Sequence, residues 1–313
     1  MHALRRTTLV LVLALAGVFL SAPTVARAQP VSGPGYWLAG ADGGVFAFGA
    51  PFYGSGSSGG SAACGFTPQA PSTLNGREGC TAIGAVSSGS GYWLLNMFRQ
   101  ATGFGGAGFV GGSHGCTSLN GASGKWVGMA SSSTGAGYWL VASNGGVMGC
   151  GDAPAPYGVV SGETLAAPIV GMAATPDDLG YWLVAADGGV FAFGDARFQG
   201  SMGGKALAAP VVGVAPTSDG GGYWLVAADG GVFAFGDARF QGSMGRTPLN
   251  APVVGIAAVP TGQGYWLAPA DGGVFAFGVA PFQGSMAGKP LDAPVVDIAP
   301  ALGPSGCLPM ARC

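Results

Sequence analysis

Few side chains in this sequence can carry a charge. Lysine, arginine, aspartate and glutamate together make up 8% of its 313 residues, and histidine occurs twice. That scarcity excludes a nucleic-acid-binding surface, which needs Lys and Arg clustered against phosphates. No run of like charge marks a membrane-surface patch. Catalytic groups are equally thin, because the glutamates are Glu78 and Glu163 and the histidine beyond the N-terminal segment is His114. Hydrolases and glycosidases need paired carboxylates or a nucleophile with its base. Ser113 beside His114 does not make a relay, since neighbouring side chains are not thereby hydrogen-bonded and no acid accompanies them; a surface histidine is the simpler reading. No CxxC pair occurs, so no zinc site is expected, and no cofactor motif is present. Helical periodicity is missing as well: no run of 10–15 residues shows it, and the expected class is all-β.

The N-terminus has the three-part layout of a secretory signal peptide over residues 1–28. Arg5 and Arg6 are basic, Leu9 to Leu20 is apolar, and Ala26-Arg27-Ala28 precedes the expected cleavage site after Ala28. The apolar run of about 12 residues is short of the roughly 20 needed to span a bilayer. The expected location is therefore secreted and extracellular, with no transmembrane segment after cleavage; the Arg5-Arg6 pair leaves general and twin-arginine export both open. The rest of the chain keeps nine of the 12 basic residues and all 14 acidic ones, a net charge of about −5. Six cysteines in an exported chain point to disulfides. Cys64 with Cys80, Cys116 with Cys150 in neighbouring repeats, and Cys307 with Cys313 form one of about 15 possible connectivities.

What is abundant is repetition. The phrase DGGVFAFG stands at 42–49, 187–194, 229–236 and 271–278. GYWL recurs six times, and the spacing of its tryptophans, Trp37, Trp93, Trp139, Trp182, Trp224 and Trp266, narrows along the chain to a constant period. A period of roughly 42 residues belongs to propellers, solenoids and repeat arrays. The unit from Val211 to Ser243 divides into four expected strands: 211–215, 222–227, 231–236 and 239–243. Asp229-Gly230 between two apolar runs signals a tight hairpin turn with φ > 0 at its central residues. Asp42, Asp187 and Asp271 hold the same turn position, and Asn144 replaces them in the third unit. Phe233 and Phe235 send both rings to one face of the returning strand.

Four strands in each such period make the blade of a β-propeller. The chain begins at a GYWL strand and ends with an extra inner-type strand, VVDIA at 295–299. Three N-terminal strands and one C-terminal strand thus sum to one blade. The expectation is a closed six-bladed propeller over 29–306, with an enlarged loop at 54–80 and a cysteine-containing tail at 307–313; an open solenoid would leave that split unexplained. The inner strands carry a glycine series, Gly84, Gly128, Gly171, Gly213 and Gly255, broken by Asp297. Asp297 reads either as a polar contact in the channel or as a cap at the closing seam.

GYWLVAADGGVFAFGDARFQGS, at 180–201 and 222–243, resembles the tandem repeats of secreted actinobacterial proteins. The resemblance covers essentially Gly35 to Pro300. It implies a propeller, which in that group often accompanies cell-wall hydrolase or other catalytic domains; no second domain is read here. A fainter similarity to quinoprotein propellers lacks their acidic cofactor and calcium ligands.

The functional expectation is a non-catalytic binding or interaction module of the cell exterior, with a cell-wall glycan or an extracellular protein as partner and a hydrolase as the weaker reading. Trp182 and Trp224, with Arg197 and Arg239, recur at equivalent positions. A sugar could stack on the indoles in inter-blade clefts, or the rings could be inter-blade core. Pro51 and Pro281 replace the arginines in the first and last units. A protein partner would instead dock on loops, the 54–80 insertion among them.

Overall fold

The computed structural model describes residues 33–56, 79–108, 110, 116–118 and 121–301. The expected signal peptide, Glu78, His114, Cys64, Cys307, Cys313 and most of the enlarged loop lie outside them. All regular structure described is β, as strand-period patterning and abundant glycine turns dictate.

In chain order, β1 (Gly35–Gly40) and β2 (Val45–Phe48) form a hairpin. The second repeat supplies β3 (Cys80–Ala85), β4 (Gly91–Asn96) and β5 (Ala101–Gly105). The third adds β6 (Cys116–Ser118), β7 (Trp126–Ser131), β8 (Gly137–Ala142) and β9 (Val147–Gly151). Then follow β10 (Ile169–Ala174), β11 (Gly180–Ala185) and β12 (Val190–Gly194), and β13 (Val211–Pro216), β14 (Gly222–Ala227) and β15 (Val232–Gly236). The last elements are β16 (Val253–Ala258), β17 (Gly264–Pro269), β18 (Phe275–Gly278) and β19 (Val295–Ala301). They assemble into antiparallel sheets of inner, central and outer strand, each central strand a GYWL segment. β19 serves as the inner strand beside β1, with Trp37 opposite Ala299.

Successive sheets stack through an aromatic pair. Alternation along GYWL sends tyrosine and tryptophan to opposite faces, so each tryptophan meets the tyrosine of the next sheet. Ring centroids lie 5.2 Å apart for Trp37–Tyr92, 5.6 Å for Trp182–Tyr223 and 5.4 Å for Trp224–Tyr265. Trp266 meets Tyr36 at 5.1 Å. Each pair anchors its own apolar cluster, which Phe233 and Phe235, for example, flank from one side.

Four expectations need correction. Among the described residues five of the sheets have three strands rather than four. The segment 239–243 finds no ladder partner because the next sheet captures it: Tyr265 Oη donates to the Gly242 carbonyl at 2.6 Å and accepts from Gln241 N–H at 3.2 Å. Tyr36, Tyr181 and Tyr223 hold the matching segments in the same way. Tyr265→Phe should therefore lower stability by about 1 kcal/mol, read as a lower urea midpoint; an unchanged midpoint would mean that backbone packing alone holds the segment. The exception is the sheet of β7, β8 and β9, where β6 adds a fourth strand. There Cys116 stands directly opposite Cys150 and the two form a disulfide, within one sheet rather than between neighbouring repeats. Cys80 is also disulfide-bonded, to a partner outside the described residues.

The hairpin is also of another type. The Gly230 amide bonds the Ala227 carbonyl at 2.8 Å and the Ala227 amide bonds the Gly231 carbonyl at 2.8 Å, a three-residue loop ending in a left-handed glycine. Gly230 has φ 78°. Asp229 does not adopt positive φ; its Oδ1 accepts from Gly231 N–H at 2.9 Å. Asp42, Asp187 and Asp271 do the same, and Asn144 Oδ1 accepts from Gly146, which is why Asn substitutes there.

Finally, the inner-strand series is out of register in the second repeat. Ala82 stands opposite Leu95 as Gly128 stands opposite Val141, so Ala82, not Gly84, precedes Gly128, Gly171, Gly213, Gly255 and Asp297. The inner strands bulge just before this position, as between Val253 and Gly255. A bulge re-aims the extra residue, here Thr81, Val127, Val170, Val212, Val254 and Val296, all of which line a central cavity.

Candidate functional site

The tryptophans singled out in the sequence are sealed. Trp182 and Trp224 have 0% exposure, so neither indole offers a face to a ligand. Each Nε1–H donates at 2.8 Å to the backbone carbonyl of Arg197 or Arg239. Trp37 and Trp266 use Pro51 and Pro281 likewise, and Trp93 uses Gly108. The arginine position is thus defined by its carbonyl, which any residue supplies, and this explains why Arg, Pro and Gly interchange there. The guanidinium groups of Arg197 and Arg239 are themselves exposed.

Next to that carbonyl stands an exposed phenylalanine. Phe52, Phe198, Phe240 and Phe282 occupy matching positions and are 58%, 60%, 60% and 57% exposed. The backbone around them is fixed on both sides, by the tryptophan N–H of its own sheet and the tyrosine hydroxyl of the next. Solvent-facing aromatic rings thus recur at this position in four of the sheets.

A second feature lies beside this rim, between the sheets centred on β11 and β14. Thr175, Pro176, Asp177, Asp195, Arg197, Asp219 and Gly220 line a cleft of about 240 Å³. Asp177 and Asp195 are neighbouring carboxyls: the Thr175 hydroxyl holds Asp177 below its ordinary value, and burial followed by Asp177 pushes Asp195 up. Asp219, held down by Gly221 N–H, and Asp237, raised by burial, repeat the arrangement one sheet on. Thr217 Oγ1 donates to Asp219 Oδ1 at 2.9 Å and to Asp237 Oδ1 at 3.0 Å. The preceding cleft is filled from within. Asp178, at φ 63° where neighbouring repeats have glycine, accepts from Ser133 N–H at 2.8 Å and Ser133 Oγ at 2.6 Å. Gly220 has no side chain to do this, and its cleft stays open. The recurring T-x-D spacing at 175–177 and 217–219, each followed in its own repeat by a second aspartate after the FAFG phrase, is the sequence signal for these pairs.

Asp297 sits apart, in the wall of the central cavity of about 360 Å³ formed by inner strands of all the sheets. Its Oδ2 accepts from Ile83 N–H on β3 at 3.1 Å and its Oδ1 from Ile298 N–H at 2.8 Å. Its carboxyl thus bridges β19 to the inner strand of the second repeat. A Cβ on Gly255 would lie 2.8 Å from Oδ1, so glycine there makes room for the carboxyl. The side chain keeps partial contact with channel solvent, yet protein surrounds it closely enough that desolvation raises its pKa to about 7. Glu163 is exposed and touches none of these sites. Among the described residues no helix is long and apolar enough to cross a membrane.

No protein-family model matches the chain, and no curated protein sequence matches it. Solved structures do. A chain from the crystal structure of a nidogen/laminin complex superimposes with a TM-score of 0.52 at 10% identity, covering 87% of this chain and 99% of that one. At that identity the likeness speaks to architecture alone, and with the repeated antiparallel sheets it assigns the chain to the β-propeller fold.

Proposed function

We propose that the sheets close into a six-bladed ring and that the protein is a secreted, non-catalytic interaction module of the cell exterior, exported with cleavage after Ala28. Three contacts support closure: β19 lies beside β1, Trp266 packs on Tyr36, and β19 touches β3 through Asp297. Closure by a strand from each end leaves no free inner edge. The scarcity of acids and bases supports a non-catalytic reading: the one glutamate among the described residues, Glu163, is exposed and stands apart from both cavities.

The observation that carries the binding role is the series Phe52, Phe198, Phe240 and Phe282. In these four sheets the phenylalanine is kept while its neighbour varies between arginine and proline, and the third sheet has Ala155 in its place, so the shared property is apolar contact. That suits an extended protein segment with regularly spaced apolar side chains better than a sugar, whose hydroxyls would need the same polar neighbours in each repeat. The polar cleft at Asp177, Arg197 and Asp219 is where a glycan would bind if the ligand were one.

The test compares the mature chain with a Phe198→Ser/Phe240→Ser variant on a peptide array and on insoluble cell-wall polysaccharide. Peptide binding that falls at least tenfold in the variant is the expected result. Retention on polysaccharide that survives the variant and is competed by soluble sugar would replace it with the glycan reading.

A further inference from the structure

Among the described residues Asp297 is a carboxylate without a counter-ion. Of those lining the central cavity it is the one titratable group, and the other polar side chains of that lining are Thr81 and Ser131. Ile83 and Ile298 orient the carboxyl through neutral backbone N–H groups, which leave its net charge uncompensated. The blade does not require it, because the equivalent positions are Ala82, Gly128, Gly171, Gly213 and Gly255. Buried charges are normally paired. Here the pair is missing and the space for one is present.

We propose that the central channel binds a small organic monocation, an alkylammonium, with its charged head on Asp297 and its alkyl body against the valine lining. The cavity, about 360 Å³, falls within the range of small-molecule sites, roughly 300–1,000 Å³. The apolar part of its wall is supplied by Val127, Val170, Val212, Val254 and Val296, aimed inward by the strand bulges, with Met129 and Met172 beside them. A hard divalent cation fits poorly, because calcium takes about 6–8 oxygen ligands and one carboxylate stands here. Binding needs the ionised carboxylate, so affinity rises as pH passes upward through the range in which Asp297 titrates; no other titratable group among the described lining residues faces it.

The probe is n-butylammonium chloride, added to the mature chain at pH 8 against sodium chloride of equal ionic strength. Expected are saturable shifts of the Met129 and Met172 methyl resonances, an Asp297 carboxyl titration displaced to lower pH by the probe and not by sodium, and affinity at least tenfold weaker at pH 5. Asp297→Asn should abolish the binding while retaining the fold by circular dichroism; the carboxyl titration decides the matter even if that variant does not fold. Unmoved methyl resonances at pH 8, an undisplaced titration, equal binding in folded Asp297→Asn, or saturation of the same resonances by calcium chloride would each overturn the proposal. The Phe198→Ser/Phe240→Ser variant leaves this site intact, so its outcome and that of the rim are read separately.

Discussion

Trp224→Ala is expected to lower unfolding free energy by about 3–5 kcal/mol, whereas Arg239→Ala, which removes the side chain next to its hydrogen-bond partner, changes it by less than ~0.5 kcal/mol. The contrast follows from where the two residues spend their atoms. The indole is fully buried against Tyr265 of the following sheet, in the cluster of Val226, Val253, Ile256 and Leu267. Its removal opens a cavity between two rigid sheets and strands the Arg239 carbonyl. The guanidinium is in solvent, and the carbonyl that receives the indole N–H survives the alanine substitution. Denaturant unfolding of both variants checks the pair. A Trp224→Ala protein whose urea midpoint matches that of the parent would mean that the inter-sheet contact is not the main source of cohesion.

Acid is expected to stabilise the protein through Asp297. A carboxyl whose folded pKa is raised binds its proton more tightly in the folded state. Its contribution is therefore fully present below the unfolded value and is lost as pH rises through the folded one. With an ordinary value of 3.8 and a folded value of about 7, the window runs from about pH 4 to pH 7. The largest effect such a displacement allows is roughly 4 kcal/mol. Asp195 and Asp237 act in the same direction, and Asp177 and Asp219 oppose them. The readout is therefore the difference between the parent and Asp297→Asn at each pH, which cancels those shared contributions. The parent's stability relative to the variant should fall steadily from pH 4 to pH 8. A difference that stays constant across that range would show that the carboxyl titrates as an exposed one does.

The repeat itself is open to reading because its two phrases encode two local decisions. GYWL alternates to place an aromatic on each face, and DGG makes the turn. Both follow from neighbouring residues, and both appear where the sequence places them. The outer segment misleads because RFQGS has strand-like composition, and nothing within it announces that Tyr265, on the central strand of the next sheet, competes for its backbone. The second repeat slips register because Gly84 looks like its counterparts by identity, whereas pairing to Leu95 is set by the apolar residues around it. Asp297 is visible as an irregularity, but its partner Ile83 lies 214 residues away in the chain. The phenylalanine rim is hidden for the opposite reason: an apolar residue inside an apolar repeat is ordinarily core, and only the tryptophan and tyrosine tethers on either side turn it outward.

The pairing of β1 with β19 has a consequence for how the protein comes into being. Ribosomes deliver β1 and β2 first, and the strand that completes their sheet last. Until Val295–Ala301 has emerged, the first hairpin presents an unsatisfied backbone edge and the Tyr36 ring lacks Trp266. Completion of that sheet is therefore a late docking event that joins strands far apart in the sequence. A chain interrupted during synthesis, however many complete repeats it holds, is left with an adhesive flank that chaperones or proteases can recognise.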